Sequence, residues 1–309
     1  MDKIFTSEGN GFLGSHLTEK AIKEGSKVTV LDDITTSNQL NVPVDANNVK
    51  GRAEDASIQD DFEYIVHLAA RPSPKDYLNN HVETLISNSV VTLNLLKMTK
   101  RDRSRIIYKS SSEVDGNGEI LPIPESYYGY VSSWEIRSCY DEGKRYSEAL
   151  IMAYNRKFSL DTRKQRPFNV YGHRIRPDRF YGRVVPTFIQ QALTGDEITI
   201  YDDGKLVRSF LYVEDWIDAT WRKITMDDLD GDISNIGSSD EITIFELANL
   251  IVKKVHSSSK ILHVEKRDDN PGGRSSDITK AKKLLGWRSE TGLDTGLYKT
   301  IDWIRGDVR

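Results

Sequence analysis

Short apolar runs alternate along the chain with longer segments whose apolar residues recur every three or four positions. The first run, 3–7, predicts a strand. A glycine-rich turn follows over 8–14, and 12–24 reads as a helix closed by Gly25. Residues 27–33 form a β-rich run ending in two acids, and 48–51 a weaker strand. The run 64–70 is apolar throughout, as suits a parallel strand buried on both faces. A long helix is predicted over 81–100, where Val82, Leu85, Ile86, Leu93 and Leu96 fall at helical spacing. Then come a strand at 105–110, a loop rich in Gly, Pro and Tyr at 116–133, a helix at 137–158 and a strand at 162–169.

Strands alternating with helices predict a parallel sheet covered on both faces. After Asn169 the rhythm changes: short strands at 197–201, 207–213 and 260–265 mix with helices at 184–193, 214–224, 244–255, 278–285 and 291–304. The expected fold class is α/β, a Rossmann-like doubly wound parallel sheet with a smaller α/β C-terminal lobe. The expected division gives 1–172 and 207–238 to the cofactor domain, and 173–206 and 239–309 to an interleaved substrate lobe. There is no internal repeat, low-complexity tract or long linker.

Composition narrows the classes. The 309 residues are 38% hydrophobic and 29% charged, a globular composition with enough chain for a large core. The net charge of −4 gives no push towards nucleic acid or anionic membranes. One cysteine forbids an internal disulfide and suits a reducing compartment, so the expectation is a cytoplasmic protein. No apolar run approaches a membrane span, and the first residues lead straight into a strand, so the expectation is a chain without a signal peptide. The six histidines show no metal-ligand spacing, so no metal is expected.

Gly9-Asn10-Gly11-Phe12-Leu13-Gly14 matches G-x-G-x-x-G between a predicted strand and helix. Glycines there let the backbone approach a pyrophosphate, and the helix N-terminus attracts its charge. Asp32 ends the next strand, 18 residues after Gly14, where an acid binds a ribose 2′-hydroxyl. An acid at that place favours NAD over NADP, because a 2′-phosphate is repelled; Asp33 is the alternative ribose ligand.

Tyr140 and Lys144 are four residues apart, on one face of a helix. A nearby ammonium favours the phenolate and lowers the tyrosine pKa from about 10. With the serine cluster Ser110-Ser111-Ser112, these are the parts that take a proton from a sugar alcohol while hydride leaves its carbon. A Tyr-x-x-x-Lys pair also occurs by chance on ordinary helix surfaces, and the strand and nucleotide turn upstream favour catalysis. Cys139 beside Tyr140 reads as a small buried residue, and His67 and His81 as structural.

These motifs resemble the extended short-chain dehydrogenase/reductases that act on nucleotide sugars, over essentially the whole chain. The likeness rests on Gly9–Gly14, Asp32, His67-Leu68-Ala69-Ala70, Asn88, Ser111, Tyr140 with Lys144, Arg166-Pro167-Phe168-Asn169, Arg208 and Arg274 with Asp277. Within that family the chain is most similar to the UDP-glucuronate decarboxylases. The cues are Ser112-Glu113-Val114, the run from Arg137 to Arg145, Gly182-Arg183-Val184-Val185 and Arg208-Ser209-Phe210.

The resemblance implies NAD bound by Gly9, Gly11, Phe12, Leu13, Gly14, Asp32, Leu68 and Ala69, with Tyr140 and Lys144. It makes Tyr140 the base at the sugar 4-hydroxyl, helped by Lys144 and Ser111. Ser112, Glu113 and Arg208 then direct the outcome to decarboxylation of UDP-glucuronate, giving UDP-xylose. Asn169, Arg183, Tyr201, Arg208 and Arg274 are the implied substrate contacts; Arg208 is equally readable as a diphosphate ligand, and Tyr201 as a core aromatic. A homodimer built on the helices 81–100 and 137–158 is also implied, though those apolar stripes can serve the protein's own core. A 4-epimerase or a 4,6-dehydratase shares the same oxidation, and a nucleotide-binding regulatory protein of little activity shares the fold. Four positions depart from the family pattern: Glu8 at a glycine, Arg52 at an aspartate, Val91 at a glycine and Asp115 at a tyrosine.

Overall fold

The computed structural model describes residues 1–35, 37, 41–55, 58–177, 183–265 and 272–307. In chain order its first elements are β1 (Lys3–Ser7), α1 (Phe12–Lys23), β2 (Lys27–Asp32), β3 (Asn47–Lys50), β4 (Tyr64–His67), α2 (Pro74–Tyr77), α3 (His81–Asp102), β5 (Arg105–Lys109), α4 (Ser138–Phe158), β6 (Thr162–Pro167) and β7 (Val170–Tyr171). They continue with α5 (Val184–Thr194), β8 (Ile198–Tyr201), β9 (Val207–Ser209), β10 (Leu211–Tyr212), α6 (Val213–Thr225), β11 (Ile233–Ile236), β12 (Glu241–Thr243), α7 (Ile244–Val255), β13 (Ile261–Val264), α8 (Thr279–Leu285) and α9 (Leu293–Asp307).

The central sheet runs β11-β6-β5-β4-β1-β2-β3, and every pairing in it is parallel. The chain winds one way from β1 through β2 to β3 and the other way through β4, β5 and β6. The order therefore reverses between β1 and β4, where open parallel sheets hold ligands at their carboxyl ends. Residues on the two faces separate into two cores. Ile4, Val30, Val66 and Ile107 join α1, α5 and α6, while Phe5, Leu31, Ile65 and Ile106 meet α3 and α4. Helices α3 and α4 pack closely along their lengths; Ser147 bonds Thr92 Oγ1 at 3.0 Å and also reaches the Asn88 carbonyl. Val91 sits fully buried in this layer, so its departure from glycine adds core volume.

Three differences from the sequence expectation have local causes. The strand predicted over 64–70 stops at His67, because the N–H groups of Leu68 and Ala69 donate to Ser7 Oγ (3.1 and 3.2 Å) and that of Ala70 to Glu8 Oε2 (3.2 Å). The run 207–213 is divided: β9 pairs antiparallel with β12 and β10 parallel with β7, with Asn169 Nδ2 donating to the Ser209 carbonyl between them. The seventh strand of the main sheet, β11, was not expected. Its parallel neighbour β6 lies far back in sequence, and its place is fixed by a buried Lys223–Asp232 ion pair and by Asn235 Nδ2 donating to the Ile123 carbonyl. Gly182, one of the residues carrying the family resemblance, lies outside the described residues. Among the described residues no helix is long and apolar enough to cross a membrane.

Candidate functional site

The carboxyl ends of β1, β4 and β5 face two connected spaces. A cleft of about 130 Å³ lies over the β1–α1 turn, and a cavity of about 530 Å³ lies beyond β5.

The turn shows why its glycines are needed. A side chain on Gly9 meets Val30 at 2.6 Å, and one on Gly14 meets the Glu8 carbonyl oxygen at 2.3 Å. Gly11 is the N-cap of α1 and no side chain caps that helix, so its first N–H groups face the cleft wall formed by Gly11, Phe12, Leu13 and Gly14. Asp32 ends β2, nearly buried. Its carboxylate accepts from the N–H of Asn10 (2.9 Å) and Ile34 (2.8 Å) and from Ser37 Oγ (2.7 Å), which ties the turn to the strand end. Burial raises its pKa and these three donors counter the rise. Leu68 lines the same cleft. Ala69 does not; its contribution is the N–H held by Ser7.

The cavity collects Ser111, Ser112, Glu113, Tyr140, Asn169, Arg183, Tyr201 and Arg208 from six separate stretches of chain. Ser111 follows β5 and accepts from Glu113 N–H at 3.2 Å, which caps a single 3₁₀ turn (Ser112–Asp115) and sets the direction of Glu113. Tyr140 lies one turn N-terminal of Lys144 on α4. Its phenol is hydrogen-bonded to Ser111, and its ring stacks on Tyr77 with centroids 5.3 Å apart and planes at 11°. Lys144 is fully buried behind them, donates to the Lys109 carbonyl at 2.9 Å and lies 5.9 Å from the Tyr140 ring centre.

The Tyr140 phenol lies in a buried setting. Burial pushes its phenol up to about 12, with Ser111 and Arg183 opposing the rise. Lys144 is itself held well below the usual lysine range by burial and by Lys109.

Glu113 has a different setting. Burial alone would raise its pKa, but Arg274, Arg137 and Arg208 outweigh that and hold it at about 2. Both Arg137 and Arg274 pair with its carboxylate. Arg274 is nearly buried, also donates to the Gly116 carbonyl (2.9 Å), and does not reach the cavity wall; it stands behind Glu113. Arg208 does line the cavity, and burial followed by Arg274 brings its pKa down to about 10. Glu113 is thus an anion among three guanidinium groups and not a stored proton. Nearby, Cys139 is buried and its thiol is pushed up by burial, in keeping with a packing role.

The departures from the family pattern fall into place one by one. Asp115 accepts from Arg166 at 3.2 Å, and Arg166 also pairs with Glu148. Arg52 is engaged on the surface with Glu54 at 3.0 Å, away from the cleft. Glu8 holds φ at 59°, a left-handed backbone that glycine adopts more easily, and its carboxylate turns towards β4 to accept from Ala70. Sequence reasoning missed three residues of the site: Lys109, Arg137 and Tyr77. Lys109 had one visible signal, a charge ending the otherwise apolar run Ile106-Ile107-Tyr108.

The NAD dependent epimerase/dehydratase family model matches residues 9–237. The chain belongs to that family. UDP-glucuronic acid decarboxylase 5 of Arabidopsis thaliana is 40% identical over 300 residues, covering 96% of this chain and 87% of the relative. UDP-glucuronic acid decarboxylase 1 of Danio rerio is 38% identical over 313 residues, covering 99% and 73%. Among solved structures, UDP-glucose 4-epimerase of Thermotoga maritima with UDP-glucose superposes with a TM-score of 0.93 at 27% identity, covering 99% of this chain and all of that one. UDP-glucuronic acid 4-epimerase of Bacillus cereus, solved with UDP-glucuronic acid and NAD, gives 0.88 at 25% identity, covering 98% and 99%.

The β1–α1 turn fits the family's cofactor. A Cβ has no room at Gly9 or Gly14, α1 presents uncapped N–H groups, and an acid anchors the end of β2.

Proposed function

We propose that the protein is an NAD-dependent decarboxylase that converts UDP-glucuronate to UDP-xylose through a UDP-4-keto sugar. The observation that carries this reading is the cluster of Arg137, Arg208 and Arg274 around Glu113, next to the cavity that Tyr140 and Ser111 line. Arg137 is shared with Asp141 at 3.6 Å, while Arg208 stands on the cavity wall, where its guanidinium can meet a second carboxylate, that of the sugar. The decarboxylases of Arabidopsis thaliana and Danio rerio, 40% and 38% identical over nearly the whole chain, support it.

Bound NAD supplies an acceptor for the hydride of sugar C4 and returns that hydride at the end. Gly11, Gly14 and the first turn of α1 hold its pyrophosphate, and Asp32 its ribose. Tyr140 takes the proton of the 4-hydroxyl while Ser111 holds the same oxygen. The ketone at C4 makes the 6-carboxylate a β-keto acid. The C5–C6 bond then breaks, its electrons move to the C4 oxygen and carbon dioxide leaves. Arg208 holds the departing carboxylate, and the Tyr140 and Ser111 hydroxyls donate to the enolate oxygen. Protonation at C5 restores the ketone, which is reduced to the pentose. Asn169, Arg183 and Tyr201 contact the nucleotide, while Arg274 acts through Glu113.

Two finer assignments go with this reading. The division into 1–172 with 207–238 and 173–206 with 239–309 is supported by β11, which lies in 207–238 and joins the main sheet beside β6. A homodimer through α3 and α4 is supported by Val82 and Leu85 on α3 and Tyr146 on α4, all exposed apolar surface. The cysteine, a free buried thiol, suits the reducing cytoplasm. Incubation with UDP-glucuronate and NAD, with the nucleotide products read by mass spectrometry, tests the function. A UDP-pentose is expected. An isomer of unchanged mass means a 4-epimerase, and no turnover with water lost from a neutral nucleotide hexose means a dehydratase.

A further inference from the structure

The cofactor cleft and the sugar cavity meet at Leu13, Pro72, Ser73, Lys109 and Arg183, which line both. Hydride passes between a dinucleotide in one space and a sugar in the other, so the reacting nicotinamide end belongs at this junction. Lys109 is 6% exposed, and among the described residues its ammonium makes no hydrogen bond. Its electrostatic neighbours are Glu8, which crosses over the end of β4 from β1, and Arg183. Glu8 in turn faces Lys109, Asp32 and Lys144, and accepts from Ala70 N–H. A glutamate with left-handed backbone at a glycine position thus places an acid in the cofactor cleft near an ammonium that lines both spaces.

The nicotinamide ring carries one positive charge when oxidised and none when reduced. A fixed charge at the junction therefore acts on one redox form and not on the other. We propose that Glu8 and Lys109 together determine which redox form of NAD the protein retains, the carboxylate favouring the oxidised form and the ammonium the reduced one. This rests on NAD binding in the cleft and is independent of which sugar is turned over. Burial brings Glu8 up to about 8 and Lys109 down to about 8, each opposed by its partner, so the pair passes from net positive to net negative as pH rises through that value. Arg183 adds positive character on one side and Asp32 negative on the other; Lys144, held below the usual lysine range by burial, also faces Glu8.

The test is the ratio of the dissociation constants of NAD⁺ and NADH, measured by calorimetry on the full chain near pH 7 and near pH 9. Wild type should shift towards NAD⁺ at the higher pH. K109M should favour NAD⁺ by about tenfold near pH 7, where the ammonium is charged, and E8Q should favour NADH by about tenfold near pH 9, where the carboxylate is charged. The double variant should show little pH dependence in the ratio. Each single variant carries its own sign, so one that fails to fold leaves the other decisive. Equal effects on both redox forms, or shifts of the same sign in K109M and E8Q, overturn the proposal while leaving NAD binding intact. Absence of binding by either form at millimolar concentration overturns both.

Discussion

Arg274, almost wholly buried, closes on the carboxylate of Glu113 from behind the sugar cavity. With Arg137 on the other side, it fixes Glu113 as an anion before any substrate arrives. E113Q leaves the guanidinium groups without their counter-charge. The expected result is a loss of about 1–3 kcal/mol in unfolding free energy and at least a tenfold lower kcat, with UDP-glucuronate binding no weaker than in wild type. Denaturant titration and steady-state kinetics check it; weaker substrate binding with unchanged kcat contradicts the assignment.

Asp115 carries a pH prediction. Burial, only partly opposed by Arg166 and Arg274, raises its pKa to about 7. The folded state thus holds a proton that the unfolded chain has lost above about 3.8. The ionised group costs stability as pH rises from about 4 to about 7, and the cost is complete above that. D115N should be more stable than wild type near pH 8 by on the order of 1 kcal/mol, and the two should converge below about pH 4. Thermal unfolding across pH reads this directly. Destabilisation of D115N near pH 8 means that the Arg166 pair outweighs the burial.

The β1–α1 turn has no space for a methyl group at Gly14, whose Cβ falls 2.3 Å from the Glu8 carbonyl oxygen and 2.6 Å from Gly9 Cα. G14A must push α1 away from the turn. NAD affinity should fall at least tenfold, together with a loss of about 1–3 kcal/mol in stability. Unchanged NAD affinity in a folded G14A protein removes the turn from the cofactor site.

Tyr140 touches the reacting oxygen in this account, whereas Lys144 sits behind it. Y140F keeps the ring on Tyr77 and loses only the hydroxyl shared with Ser111. Turnover should drop by about 10²–10⁴-fold, with UDP-glucuronate binding within a few-fold of wild type and an unchanged melting temperature.

Much of this molecule was legible from its apolar spacing. The parallel sheet, the long helices α3 and α4 and the glycine turn all follow from local periodicity and turn chemistry. What escaped depends on contacts between distant segments. β11 is four residues with no alternation of its own, and β6 decides its place. The strand after Tyr64 looked three residues longer than it is, because Ser7 and Glu8 capture its next N–H groups. Glu113 stood out in the sequence, but its charge state depends on Arg274, which lies far along the chain in the second lobe. Helical spacing puts Tyr140 and Lys144 on one face, but it says nothing of how deeply the lysine is buried.

The central claim is that the sugar loses its carboxylate after oxidation at C4. UDP-glucuronate labelled at the carboxyl carbon tests this most directly. With wild-type protein and NAD, the label should leave as carbon dioxide in step with UDP-pentose formation, and in Y140F it should stay with the nucleotide sugar. Retention of the label by wild type in a UDP-hexuronate epimer would contradict the account.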